Sequence, residues 1–295
     1  MDTQLSSFLA DVWENRDVLL YGNPDPTGDD VEERVYAMYA PMHGVGNAGI
    51  TKVAYDLLVN GINAPPNSGW VPSQRTWAYV WDNRSAASAR AGYRVYINAK
   101  LTQATQIFQR IMAMSARAPA QANPPNALPV IPDHVLATSY MALANRGIYA
   151  DVIAGMKIAF AAEAFNGRPD IIVVYISDAG GRQIAAHLAR RIAAMGDWFR
   201  TDIPPMTERI AWGISIGPEV SGTQWGVATS FGQVRTTLIA WAMIEAVTGV
   251  ATNGGRHDVP LQMARHGSPN RLTFFQLVTS KFAQYQIDAN RPWAG

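Results

Sequence analysis

Apolar positions recur every three or four residues in some stretches of this chain and every second residue in others, and the elements follow from that difference. Helical spacing predicts helices over 5–20 and 30–40, parted by the turn-rich YGNPDPTGDD. Thr27 or Asp29 can cap the second of them. A short helix is predicted over 50–59, and the loop GINAPPNSG leads into WVPSQRTWAYVWDN, where residues 75–81 form the expected strand. The stretch YRVYINA (93–99) alternates. Tyr93, Val95, Ile97 and Ala99 share one face, and Arg94, Tyr96 and Asn98 share the other. One face is apolar enough to sit on a core. The polar row is either a solvated sheet face or the floor of an anion site. The short connection WDNRSAASARAG favours antiparallel pairing of strands 75–81 and 93–99.

After Lys100, the positions Leu101, Ala104, Ile107, Phe108, Ile111 and Met112 define an amphipathic helix ending near Arg117. The Pro-rich segment 118–133 is a linker or a long surface loop, and a short helix over 134–145 follows. VIAGMKIAF, IIVVYIS and RIAWGISI predict three further strands, the first two joined by a loop carrying the hairpin signal Asn166-Gly167. Residues 180–199 are helical, with Ile184, His187, Leu188 and Ile192 on one stripe, which makes His187 a histidine packed at the core edge. The most hydrophobic helix runs over 230–248, with Ser230 as its cap and Gly249 as its stop. Two amphipathic helices, 256–266 and 273–287, close the chain. Strands and helices do not alternate as in a doubly wound fold. The expected class is α+β, with a largely antiparallel twisted sheet flanked by helices. We expect one domain over 1–295, with helical extensions at 1–34 and 250–295.

Composition narrows the functions. With 48% hydrophobic and 16% charged residues in 295, the chain is globular and long enough for a large core. A formal charge of +1 gives no nucleic-acid footprint. Twenty Arg stand against four Lys, so each Lys merits placing. The absence of Cys excludes disulfides and thiolate chemistry, and it fits a reducing cytoplasm. Acidic residues occupy the start of the chain and no apolar run reaches membrane-spanning length, so neither a signal peptide nor a membrane partner is expected.

The five His show no metal-ligand spacing, so neither a metal nor another cofactor is expected. No GxSxG elbow appears; Ser215, within GISIG, sits between isoleucines in a predicted strand. His43 lies in a glycine-rich loop that matches no nucleotide fingerprint. The stronger signal is cationic. Arg94 sits on the polar row, and Lys157 stands in mid-strand, a costly place for a charge unless it meets water or an anion. Arg235 falls near the start of the helix 230–248, where a cation opposes the helix dipole. Either all three face solvent, or an anion relieves the conflict.

The order YRVYINAK, helix, KIAF, IVVYIS and then TSFGQVRTTLIAWAM (229–243) resembles the HopA-type (first subtype) type III effector family and its bacterial biosynthetic relatives. TSFGQVR is similar to that family's SFGExR helix, and the loop 61–70 also fits. The resemblance runs from about residue 35 to 248. It implies a fold like that of phosphothreonine lyases. It also implies a lyase that works with a kinase-like partner on a ribosomal precursor peptide, as in thioamitide and class V lanthipeptide biosynthesis, within a hetero-complex. The partner phosphorylates Ser or Thr, and the lyase eliminates phosphate to leave dehydroalanine or dehydrobutyrine. The family's Lys-x-His pair falls on Arg94 and Tyr96. Its phosphate-contacting Lys and Arg fall on Lys157 and Arg235. The resemblance thus implies phosphate binding by Arg94, Lys157 and Arg235, with Tyr96 as acid. Arg94 stays protonated and cannot be the base. Lys157 and His43 are the candidates for that role, with Lys52 as a third. The alternative is a catalytically inactive protein of the same fold that binds a peptide or a protein.

Overall fold

The computed structural model describes residues 1–21, 28–39, 70–74, 77–82, 91–115, 153–159, 168–177, 181–219, 231–249 and 270–293. The predictions over 50–59, 134–145 and 256–266, the Pro-rich segment, Asn166-Gly167 and Ser230 lie outside these residues. The chain forms two compact units. One comprises residues 43–203 and 209–216; the other comprises 1–42, 204–208 and 217–295.

The first unit is built on a sheet. Its strands are β1 (Trp70–Gln74), β2 (Trp77–Asp82), β3 (Ala91–Ile97), β4 (Ile153–Ala159), β5 (Ile172–Ser177), β6 (Glu208–Ala211) and β7 (Ile214–Pro218). They form one seven-stranded sheet in the order β1-β2-β4-β5-β3-β7-β6. The pairs β1/β2, β2/β4, β4/β5 and β3/β5 are all antiparallel. The α+β class with an antiparallel sheet is therefore as expected, but three details differ. WVPSQRTWAYVW makes two strands, β1 and β2, rather than one. RIAWGISI likewise folds into the β6–β7 hairpin. It turns at Trp212-Gly213, and Gly213 takes φ +65°, a conformation that favours glycine. Strands 75–81 and 93–99 do not pair. Both edges of β2 are already filled, by β1 and β4, so β3 lies between β5 and β7.

Alternation along β3 sorts its two faces as expected. Val95, Ile97 and Ala99 join Met156, Ile158, Val174, Ile176, Ile214 and Ile216 in one buried cluster. Two helices pack on this cluster. They are α4 (Leu101–Ser115), through Ile107, Phe108 and Ile111, and α5 (Gly181–Ala193), through Leu188 and Ile192. His187 does not lie at the core edge. It is exposed, because the helix turns Leu188, not its neighbour, to the sheet.

The second unit is helical. α1 (Thr3–Glu14) and α2 (Arg16–Tyr21) replace the single predicted helix, and they are followed by α3 (Gly28–Tyr39), α6 (Phe231–Thr248) and α7 (Arg271–Gln284). The Asp2 carboxylate caps α1 by accepting from the Gln4 and Leu5 N–H groups, at 3.0 and 3.1 Å. α6 is buried on nearly every side, which accounts for its uniform hydrophobicity. It ends at Gly249, at φ +70°, as the sequence predicts. Glu32 of α3 accepts hydrogen bonds from Thr237 Oγ1 at 3.0 Å and Trp241 Nε1 at 2.6 Å, tying α3 to α6. Lys281 of α7, 5% exposed, meets Glu245 of α6 at 2.9 Å. Trp13 stacks on Phe274 at 5.3 Å, joining α1 to α7.

The approach of α3 to α6 depends on Gly232, because a Cβ there would run into the Tyr39 ring. Gly232→Ala should therefore destabilise the helical unit by about 1–3 kcal/mol, as overpacking does elsewhere. Urea denaturation followed by tryptophan fluorescence measures this, and an unchanged midpoint would refute the close packing of α3 on α6.

Candidate functional site

Strand register brings most of the predicted site together. In antiparallel pairs, directly opposed residues share a sheet face. Tyr96 stands opposite Val173, Val173 opposite Lys157, and Lys157 opposite Tyr79. The adjacent row runs from Arg94 to Tyr175 to Gly155. Arg94, Tyr96 and Lys157 thus lie on one face. The main chains of Tyr96 and Lys157 are two strand spacings apart, roughly 10 Å.

This face is not solvated. Arg94 is 9% exposed, Tyr96 3% and Asn98 2%. Lys157 is half-buried, while Val173 and Ser215 on the same face are fully buried. Of the two readings of the polar row, the solvated surface is therefore excluded. An enclosed cation costs free energy unless it is compensated. Arg94 meets that demand in part by lying over the Tyr175 ring, with Cζ 4.8 Å from its centroid. The sequence reading missed Tyr175. Its signal was present, as the one phenol in the otherwise aliphatic run IIVVYI.

Arg235 belongs to the helical unit, and its surroundings are not those of a solvent-facing cation. It is 1% exposed and the largest fully buried side chain described. Its Nε–H and Nη2–H both donate to the Pro292 carbonyl, at 3.0 and 2.7 Å, and Nη1–H reaches the Phe231 carbonyl at 3.4 Å. Its Cζ lies 3.6 Å from the centroid of the Phe231 ring. The notion that it faces solvent is therefore wrong. The cation that opposes its helix dipole is compensated by main-chain carbonyls, one of them from the C-terminal segment. The sequence could not reveal this partner, because a carbonyl 57 residues away leaves no side-chain signature.

His43 and Lys52 lie outside the described residues. Among the described residues, no group of three His, Asp or Glu is placed to hold a metal ion. No described helix is long and apolar enough to cross a membrane. A buried pair beyond the predicted site also emerges. The Arg168 guanidinium grips Asp170 through Nε–H and Nη2–H at 2.8 and 2.9 Å, just before β5. That bidentate lock fixes the entry of the chain into the strand that carries Tyr175.

Together these features define an α+β protein with an open antiparallel sheet. One face of the sheet is packed by helices, and the other holds an enclosed polar row. The sequence profile of the HopA1 effector protein family matches residues 128–293, more than half of the chain, and the chain belongs to that family. Solved structures that share the fold include those of two effector proteins from Pseudomonas syringae. The one from pathovar tomato strain DC3000 superposes with a TM-score of 0.54 at 13% identity, covering 97% of this chain and 98% of the other. The one from pathovar syringae strain 61 gives a TM-score of 0.56 at 13% identity, covering 99% and 98%. No curated protein matches the chain.

Arg235→Ala should remove three hydrogen bonds and strip the buried Pro292 carbonyl of both guanidinium donors. We expect a loss of about 3 kcal/mol or more, together with faster proteolysis of residues after Gln284. Chemical denaturation and limited proteolysis read the two effects. Wild-type stability in both would show that the clamp on Pro292 is energetically idle.

Proposed function

We propose that this chain is a phosphoserine/phosphothreonine lyase, the eliminating component of a Ser/Thr dehydratase that modifies a ribosomal peptide alongside a kinase-like partner. The observation that carries this reading is the register that puts Arg94, Tyr96 and Lys157 on one enclosed sheet face. Elimination needs a base for the α-proton, an acid for the departing phosphate and cations for its charge. Lys157, as the neutral amine, takes the proton from Cα. The Cα–H electron pair forms the Cα=Cβ bond, and the Cβ–O bond breaks. Tyr96 gives its proton to the phosphate oxygen, and Arg94 holds the phosphoryl charge, roughly −1.5 to −2 near neutral pH. The products are inorganic phosphate and a dehydro residue. The low exposure of Tyr96 and Arg94 supports the assignment, because charge stabilisation is stronger where water is excluded.

A second reading has an observation of its own. The Arg235 guanidinium already donates to the Pro292 carbonyl, and Arg94 already rests on Tyr175. A family member whose cations serve its own packing would bind peptides or proteins without turning them over.

A synthetic phosphothreonine peptide separates the two. In the first case, incubation with the full chain releases inorganic phosphate and leaves a product one phosphoric acid lighter by mass spectrometry. Lys157→Ala should then slow release by roughly 10²–10⁴-fold, the usual contribution of a positioned base. Binding without phosphate release, also in the presence of the kinase partner, would refute catalysis and leave the second reading.

A further inference from the structure

Asn98 ends the polar row, and neither reading above gives it a task. Its main chain is held on both sides. The Asn98 N–H donates to the Gly213 carbonyl at 2.7 Å, and its carbonyl accepts from the Arg200 N–H at 2.8 Å. Gly213 is needed for this approach, because a Cβ there would strike the Arg200 carbonyl oxygen. The side chain is oriented as well. Nδ2 donates to the Asp202 carbonyl at 3.0 Å. Only the NH₂ end of an amide can face a carbonyl oxygen, so this bond fixes which end is which. The other end, Oδ1, is buried and meets no donor among the described residues. An acceptor kept in that state is costly, and the main-chain and Nδ2 hydrogen bonds around it hold it there.

Resting on the lyase-like reading of this face, we propose that Asn98 positions the substrate by accepting a hydrogen bond, through Oδ1, from a main-chain N–H of a phosphorylated peptide. The chemistry selects the donor. An amide oxygen carries partial negative charge and no hydrogen, so it repels a phosphoryl oxygen and accepts from an N–H. Arg94 is the cation on this face that the elimination assigns to the phosphoryl charge. Asn98 lies two residues beyond Tyr96, just past the end of β3, roughly 7 Å away in extended chain. A phosphoryl group beside Tyr96 and an N–H beside Asn98 therefore belong to the same residue or to adjacent residues of one peptide. A site of this kind prefers a phosphorylated peptide to inorganic phosphate, and it reads the backbone rather than a particular side chain.

The test uses the full chain and a capped phosphothreonine heptapeptide, with a set of analogues each N-methylated at one amide. Affinity for each, and for inorganic phosphate, is measured by calorimetry on wild type and on Asn98→Ala, each also carrying Lys157→Ala so that bound peptide is not consumed. We expect one N-methyl position to weaken wild-type binding about tenfold and to leave Asn98→Ala, already weaker, unaffected. Inorganic phosphate should bind both proteins alike. Asn98→Ser, whose hydroxyl is too short to reach the peptide, should behave like Asn98→Ala and serves if the alanine variant does not fold. Equal N-methyl sensitivity in wild type and variant, or a parallel loss of inorganic phosphate binding, would overturn the assignment. If wild type binds the phosphorylated and unphosphorylated heptapeptides equally, the lyase-like reading itself fails and this assignment falls with it.

Discussion

The register of β3, β5 and β4 is the constraint from which the rest of the sheet unit follows. Side chains in a strand alternate with period two, so a slip of one residue would exchange every inward and outward position. Here such a slip would drive Arg94 and Tyr96 into the cluster under α4 and α5, and it would turn Val95 and Ile97 onto the polar face. The slip is opposed from both sides. Val95 lies opposite Val174 and Ile97 opposite Ile172 on the apolar face, while Arg94 lies opposite Tyr175 on the other. Register, rather than any single contact, therefore brings an arginine, a tyrosine and a lysine from two different strands to one place.

The helical unit solves a different problem with similar means. α6 is buried on nearly every side, yet it carries Arg235, Thr236 and Thr237 within its buried length. Each has a hydrogen-bond acceptor. Thr236 Oγ1 donates to the Gly232 carbonyl at 2.9 Å, Thr237 Oγ1 to Glu32, and Arg235 to two main-chain carbonyls. Buried polar groups are tolerable when all are satisfied, and they then fix one arrangement of neighbours over others. For Arg235 the neighbour so fixed is the segment around Pro292.

How much of this was legible in the sequence depends on the range over which each feature is encoded. The helix preceding Gly249, the strand 93–99 and the split of its residues between two faces are local, and they were read correctly. The β6–β7 hairpin was hidden because its two-residue turn contains Trp212, which looks like a strand residue. Gly213 was the available signal. The place of β3 between β5 and β7 was not legible, since nothing within β3 names its neighbours and the short connection to β2 pointed to the wrong one. The site divides in the same way. Arg94, Tyr96 and Lys157 were visible as residues, and their shared face awaited the strand order. The burial of Arg235 could not be read at all, because the main-chain carbonyl that compensates it has no identity in a sequence.

The helical unit also bears on how the chain comes to be folded. Its segments flank the sheet unit in sequence: α1, α2 and α3 are made first, α6 and α7 last. The Asp2 N–H donates to the Ala289 carbonyl at 3.1 Å, and Phe274 lies against Trp13, so α1, which meets α3 early through Phe8 and Tyr39, finds its C-terminal partners only when nearly the whole chain exists. During synthesis the sheet unit is complete after residue 216, while the apolar stripe of α1 still lacks the Phe274 ring that will stack on its Trp13. Synthesis at about 5–20 residues per second leaves that stripe incompletely covered for seconds or longer. A cell that makes this protein must keep the stripe from sticking elsewhere until the last helix arrives.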